Sequence, residues 1–468
     1  MKKTIFITIA EDIISRNLIF TDFGKEFYAE NKDHKIVFLV QPDRLEYYKE
    51  LFSNGSFAST DIVVEQYKRS SASRFENMVM SLARSGINSH TNLWSKMRSY
   101  KRGHSSWIDT HTKRVIAFSL GGFSFYKNII RRLILIWESD ARLIELYDKY
   151  KPTVLFATSL TNYDFDVLIA REAKRRGIKI IGMVRSWDNL SSHGLLRVVP
   201  DIFILQNEFL KDMAIEYQAI NPKNIPIYIV GLPHYDMLKD VTSLLPSRED
   251  FFKSVGLDPE KKLIFYGAMG EFLFIHEGEL PEVFEQLVRE EKIKHPAQFL
   301  YRAHPKFKID PEKIKSLKSV VFDTEGKYIN TDKTDTSENE NIHLAASIYY
   351  SDVIVTGAST IAIDAAVLDK PIVCIGFDGK TLRKDVDYWE SVERFYDLYT
   401  HFEDLMDANG VKIAKNQGDL AKYINEYIES PQLEAMGRRK IIERFAEPFD
   451  GKAGARLAKL VSKEISKT

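Results

Sequence analysis

Residues 351–379, SDVIVTGASTIAIDAAVLDKPIVCIGFDG, constrain the fold more than any other stretch, because they spell strand, turn, helix and strand in one unit. Val353–Thr356 is an apolar run without polar alternation, the pattern of a strand covered on both faces in a parallel sheet. Gly357, Ala358, Ser359 and Thr360 turn the chain, and Ser359 stands at the expected N-cap of the helix IAIDAAVLD. Pro371 opens a second apolar strand, 372–375. Small residues at such a turn admit another molecule close to the backbone, and the unpaired N–H groups and dipole of a helix start favour phosphate. Taken alone, the stretch also reads as an ordinary βαβ unit with a neat cap.

A second strand-to-loop junction lies upstream, Phe299-Leu300-Tyr301-Arg302-Ala303-His304-Pro305-Lys306. Arg302, His304 and Lys306 follow a short apolar strand, which Pro305 ends because it brings no N–H to the ladder. Ligands of open parallel sheets bind beyond the carboxyl ends of strands. Cations at one strand end and a helix start at another therefore point to one anion. The plainer reading is a surface turn salt-bridged to a neighbouring acid. Near the C-terminus, Asp450-Gly451-Lys452-Ala453 opens a final amphipathic helix.

Strands alternate with helices in two runs. The first has strands at 4–9, 36–40, 62–65, 153–157, 179–184, 202–205 and 227–230; the second at 262–267, 298–301, 320–322, 353–356 and 372–375. This predicts an α/β protein of two doubly wound, Rossmann-like domains facing a cleft. The expected bounds are 1–235 for the first domain, with a helical insertion at about 90–141, and 236–445 for the second. Residues 446–468 form a last helix that crosses back to the first. The polar run 330–341 reads as a loop.

Composition narrows the class. The 468 residues suffice for two or three sizeable cores, and 28% charged residues with zero net charge give no overall bias towards nucleic acid. The single cysteine, Cys374, excludes an internal disulfide and a cysteine-rich zinc site and fits a reducing cytoplasm. Glu11 and Asp12 interrupt the N-terminal apolar run too early for a signal peptide, and no stretch reaches the ~20 apolar residues of a membrane span. The insertion departs from this neutrality. Between Asn88 and Arg132 nine Lys or Arg face one acid, Asp109, with Trp94, Trp107, Phe118, Phe123, Phe125 and Tyr126 interleaved. Three readings remain open: a helical subdomain with aromatic core and solvated charges, a face for an anionic membrane, or RNA binding without any recognised motif.

The segments Arg302-Ala303-His304-Pro305, GASTIAIDAA and DGKA resemble the nucleotide-binding half of GT-B fold glycosyltransferases of the surface-polysaccharide type, related to the CDP-glycerol glycerophosphotransferases. Arg185-Ser186-Trp187-Asp188-Asn189-Leu190, Val199-Pro200-Asp201 and Val230-Gly231-Leu232-Pro233 resemble the centre of the same enzymes, so the resemblance spans about residues 150–455 in motif order. It implies transfer of a sugar from a nucleotide-activated donor to a glycan or lipid-linked glycan, in the cytoplasm or on the inner face of its membrane. No cofactor is implied beyond the nucleotide-sugar co-substrate, and no nucleic-acid partner. Expected donor-binding residues are Arg302, His304, Lys306, Gly357, Ser359, Thr360 and Glu271, with His276 beside the last. No metal is expected, since Asp164-Phe165-Asp166 has a metal motif's spacing but reads as helix capping. The acceptor-side base is Asp188, Glu11, Asp12 or His193, a choice the residues leave open. A CDP-polyol phosphotransferase, a nucleotide-sugar 2-epimerase and a non-catalytic nucleotide-sugar or glycan binder remain alternatives. The epimerases' Gly-Gly-rich helix start is absent here.

Overall fold

Short apolar runs that cannot hide both faces alone pair side by side, and in this chain they do so in two separate sheets. The computed structural model describes residues 2–53, 61–69, 72–137, 139–161, 164–304, 312–323 and 338–468. The chain divides into two units, Met1–Asp236 with Glu447–Thr468, and Met237–Ala446.

The first unit holds β1 (Thr4–Ile9), β2 (Lys35–Val40), β3 (Asp61–Gln66), β4 (Val154–Ala157), β5 (Lys179–Met183), β6 (Ile202–Leu205) and β7 (Ile227–Ile229). Their order is β3-β2-β1-β4-β5-β6-β7, all parallel. In the second unit β8 (Lys262–Gly267), β9 (Ala297–Arg302), β10 (Val320–Phe322), β11 (Val353–Thr356), β12 (Ile372–Ile375) and β13 (Lys412–Ala414) run parallel in the order β10-β9-β8-β11-β12-β13. β1, β4, β8 and β11 are almost wholly buried, as helices on both faces of a parallel sheet require. Each sheet reverses its winding once, between β1 and β4 and between β8 and β11, and such a switch point is where the loops part for a ligand.

The helical insertion starts earlier than expected. Helices Arg74–Arg84, His90–Lys101 and Trp107–Leu120 begin on Ser73, Ser89 and Ser106, whose hydroxyls accept the N–H of Glu76, Asn92 and Asp109. The helix Ser124–Ile136 follows. It faces inward with Arg131, which donates to the carbonyls of Leu196 at 2.9 Å and Gln218 at 2.6 Å. The helix Ala453–Ser466 lies on Asp22–Asn31, so close at Gly454 that a Cβ would come within 2.7 Å of Phe23 N. Asp236 fastens its first turn by accepting the N–H of Ala453 and Gly454.

Other sequence expectations shift locally. The helix after β1 is broken into Asp12–Ile14, a π-helical turn Ser15–Ile19 and Asp22–Asn31. β13, three residues long, carries no periodic signal and was not anticipated. Of the polar run 330–341, residues 330–337 lie outside the described residues, and the helix Glu338–Tyr349 takes in the rest.

Candidate active site

In the second unit the loops after β8, β9, β11 and β12 leave the same carboxyl edge. The loop after β8 is held from beneath by Glu277, whose buried carboxylate accepts the Tyr266 hydroxyl at 2.7 Å and the N–H groups of Met269 and Gly270 at 2.7 and 2.6 Å. Burial pushes this carboxyl up to about 7, against those three hydrogen bonds. Met269 rests on Gly357, where any Cβ would lie 2.3 Å from its sulfur. The two loops at the switch point are therefore in contact, and Gly357 is required by close approach.

After β11 the turn is tighter than a simple cap. Ser359 N–H donates to Gly357 O, and the Ser359 hydroxyl accepts the N–H of Ile361 at 3.2 Å and donates to Thr356 Oγ1 at 3.0 Å, whose own proton goes to the Gly267 carbonyl at 2.9 Å. Thr360, already helical in φ and ψ, takes the N-cap position expected for Ser359, and the helix is the shorter Ile361–Val367.

Arg302 departs most from expectation. Rather than facing solvent as a free cation, it is buried and bonds Asp323 at 2.8 Å and Glu340; His343 holds the other Asp323 oxygen at 2.8 Å. Burial raises the Asp323 carboxyl, but the His343 hydrogen bond and the Arg302 charge outweigh it and hold the group below its ordinary value. A buried guanidinium needs such partners, so its charge is committed within the unit. His304 follows, half-buried; Lys306 lies outside the described residues. Glu271 is exposed in the loop after β8, and His276 in the same loop pairs with Glu279 at 3.0 Å. Glu279 also receives Lys380 N–H from the loop after β12, at 2.6 Å.

In the first unit, Glu11 follows β1 and is paired with Arg185, which follows β5. Burial lowers Arg185, opposed by the charge of Asp188. Asp188 Oδ2 lies 3.6 Å from His193 Nε2 and 3.1 Å from Ser192 Oγ, while Asn189 Nδ2 meets Oδ1 at 3.1 Å. Glu11, Asp188 and His193 thus share one neighbourhood at the carboxyl edge. Asp12 is drawn elsewhere: it is buried against Arg44 at 2.5 Å, with Tyr48 Oη at 3.4 Å. Trp187 is buried and packs on Phe209.

Asp164 binds Arg84 at 2.9 Å and Arg197, so it serves ion pairing. Among the described residues no group of three or more His, Cys, Asp or Glu is placed to hold a metal ion. Asp166, fully buried behind β1 and β4, accepts the Thr8 hydroxyl and the Ser159 N–H, and burial pushes it up to about 7. Glu277, Asp323 and His343 escaped sequence reasoning, and Asp166, read there as part of a helix cap, is instead a buried carboxyl bonded to Thr8 and Ser159. Only Asp323 had a signal, as an acid directly after the strand beside that of Arg302.

The model of the family described as CDP-glycerol:poly(glycerophosphate) glycerophosphotransferase matches residues 199–463. Curated proteins give no match in sequence. Among solved structures, the UDP-GlcNAc 2-epimerase from Neisseria meningitidis bound to UDP-GlcNAc aligns with TM-score 0.53 at 12% identity, over 99% of this chain and 100% of its own. A UDP-GlcNAc 2-epimerase from Methanocaldococcus jannaschii gives 0.52 at 12%, over 99% and 100%. A variant of the wall teichoic acid polymerase TagF soaked with CDPG gives 0.50 at 12%, over 99% and 89%. These similarities establish the two-domain GT-B architecture. The family match, covering more than half the chain and both the Asp188-distal part of the first unit and the whole second sheet, establishes descent: this protein belongs to the CDP-glycerol:poly(glycerophosphate) glycerophosphotransferase family and is a transferase.

Proposed function

We propose that the protein moves a group from a nucleotide-activated donor onto a glycan or lipid-linked glycan during synthesis of a cell-surface polysaccharide. The observation that carries this reading is the contact between the loops after β8 and β11 at the switch point of the second sheet, inside the family-matched segment. The donor diphosphate would meet the backbone of 357–361, the Ser359 and Thr360 hydroxyls and His304, with Lys306 and Glu271 nearby in sequence. Asp188 is the proposed base for the acceptor hydroxyl, with His193 as its neighbour. The reaction is proposed to need no divalent ion or cofactor, and to run on the cytoplasmic face of the membrane, where a lipid-linked acceptor is presented.

A sugar is the first candidate for the transferred group. The family match favours a second, a phosphorylated polyol: the acceptor oxygen attacks the polyol-side phosphorus, a new P–O bond forms, and the nucleoside monophosphate leaves with the electron pair. Incubation with nucleotide diphospho-sugars and CDP-polyols, with and without EDTA, followed by mass analysis of a lipid-linked acceptor, separates the two. His304→Ala and Ser359→Ala should each weaken donor-nucleotide binding by about 1–3 kcal/mol, the scale of charge-assisted hydrogen bonds. Unchanged calorimetric affinity in both variants would place the donor elsewhere.

A further inference from the structure

A helix of one turn does not hold its own shape in water, because too few hydrogen bonds offset the ordering of its backbone. Asp188 and His193 flank such a turn, Asn189–Ser192. Within it, the N–H groups of Ser191 and Ser192 bond to Asp188 O at 3.2 and 3.0 Å, and His193 N–H reaches Asn189 O at 3.4 Å. The next carbonyls have no helix left to serve them and take donors from side chains of other elements. Leu190 O accepts from Gln218 Nε2 at 2.6 Å, and Ser191 O accepts the hydroxyl of Ser89. Gly194 then reverses the chain at φ +81°, so close to the helix Arg74–Arg84 that a Cβ would lie 2.5 Å from Arg84 Cα. The Gly194 carbonyl also accepts from Gln218 Nε2, at 3.0 Å, and Leu195 N–H bonds to Ala83 O at 2.9 Å. Leu196 N–H closes the set on Gln218 Oε1 at 2.6 Å.

The Gln218 side chain is fully buried, and both its N–H donors and its carbonyl oxygen are used on this one loop. Gln218 is itself fixed. The helix Glu208–Glu216 ends with Ile220 N–H on Ala214 O at 3.1 Å and with Ala219 in the left-handed region at φ +51°. The Gln218 carbonyl accepts from Arg131 Nη2 at 2.6 Å, while Arg131 Nε donates to Leu196 O at 2.9 Å. Three cations of the insertion, Arg98, Lys127 and Arg131, are buried, so its basic surplus is in part internal to the unit. We propose that Gln218 is a positioning residue for the transfer reaction: its carboxamide sets where Asp188 and His193 stand, and Arg131 of the helical insertion sets where Gln218 stands. The hold on the loop stands on geometry; its consequence for turnover rests on the role proposed above for Asp188 as the base. A reacting group displaced by about 1 Å loses on the order of 100-fold in rate, even when no contact with substrate is removed.

The test joins steady-state transfer to a lipid-linked acceptor, from whichever nucleotide diphospho-sugar or CDP-polyol is active, with amide hydrogen exchange of the full chain alone. Gln218→Met keeps an unbranched side chain of similar length and has no N–H to donate. It should lower kcat by about 10- to 100-fold and leave the donor KM in place. Exchange across residues 189–196 should rise by roughly tenfold or more. Leu457→Ala, in the core of the same unit, should lower the melting temperature and leave kcat unchanged, which separates positioning from loss of stability. In the Asp188→Asn background, Gln218→Met should lower kcat by less than about threefold further, because the two act as one unit. If circular dichroism shows Gln218→Met unfolded, Arg131→Lys replaces it in every measurement, since it keeps the charge and loses the planar fork. Wild-type kcat in the folded variant, unaltered exchange, or full additivity with Asp188→Asn overturns the proposal. Asp188→Asn with normal turnover refutes the base instead; a fall of kcat in Gln218→Met then supports positioning of His193, and no fall overturns both. Absence of transfer from every donor refutes the proposed function and, with it, the reaction that Gln218 serves.

Discussion

At the scale of single residues, two carboxyls differ in exposure: one is the proposed base and the other is part of the scaffold. Asp188 is partly exposed beside His193 and Asn189, where it can reach a hydroxyl, so Asp188→Asn should cut turnover by about 100-fold or more and leave donor binding intact. Near-normal turnover in a single-turnover assay would move the role to His193 or Glu11. Asp166 is the opposite case. Its carboxyl is buried, one oxygen accepts from Thr8 and Ser159, and the other, among the described residues, has no hydrogen-bond partner. Its folded-state value of about 7 lies above the ordinary carboxylate value, so its favourable contribution is complete below the unfolded value and is lost as pH rises through about 7. Asp166→Asn keeps the acceptor and cannot ionise. It should match the wild type near pH 4 and exceed it at pH 8 by an amount on the order of 2–4 kcal/mol. Denaturant melts at the two pH values check this, and equal pH slopes would contradict it. The difference between the two acids was invisible in sequence, because both follow a strand of the same sheet and only packing sets their exposure.

At the scale of elements, the loop after β8 shows how the candidate site is held by a side chain, Glu277, that is proposed for no ligand contact. Glu277 gathers one hydroxyl and two backbone N–H donors on its two oxygens, so in either orientation Glu277→Gln turns its amide N–H₂ towards a backbone N–H, which can only donate. At least one donor is then left unpaired, at about 1–3 kcal/mol, and the Met269 contact with Gly357 loosens. If the donor binds here, its affinity should fall by roughly tenfold, since about 1.4 kcal/mol corresponds to that factor. Titration calorimetry with the nucleotide gives the answer, and an unaltered affinity would mean that the loop is ordered by other contacts. The strand–turn–helix signal of 351–379 was readable because glycine, small residues and an apolar run carry it locally. The sequence did not reveal that Arg302 is neutralised by Asp323 and Glu340, because those partners come from other elements 21 and 38 residues away.

At the scale of the whole molecule, the chain leaves its first unit at Asp236 and returns at Glu447. The returning helix buries Leu457, Val461 and Ile465 completely, and Lys3 and Lys179 bond to its C-terminal end. Leu457→Ala should cost about 2–5 kcal/mol, as large-to-small changes in a core do. The loss should appear in the calorimetric transition of the first unit while that of the second stays in place; movement of both would show that the units unfold together. By itself the sequence determined the two parallel sheets and the positions of their strand ends, because apolar runs, glycines, prolines and caps act over a few residues. Only the tertiary structure decided which charged groups at those ends remain available. Arg302, Asp12 and Arg131 were turned inward by partners distant in sequence, and a group's exposure depends on everything packed around it rather than on its neighbours along the chain.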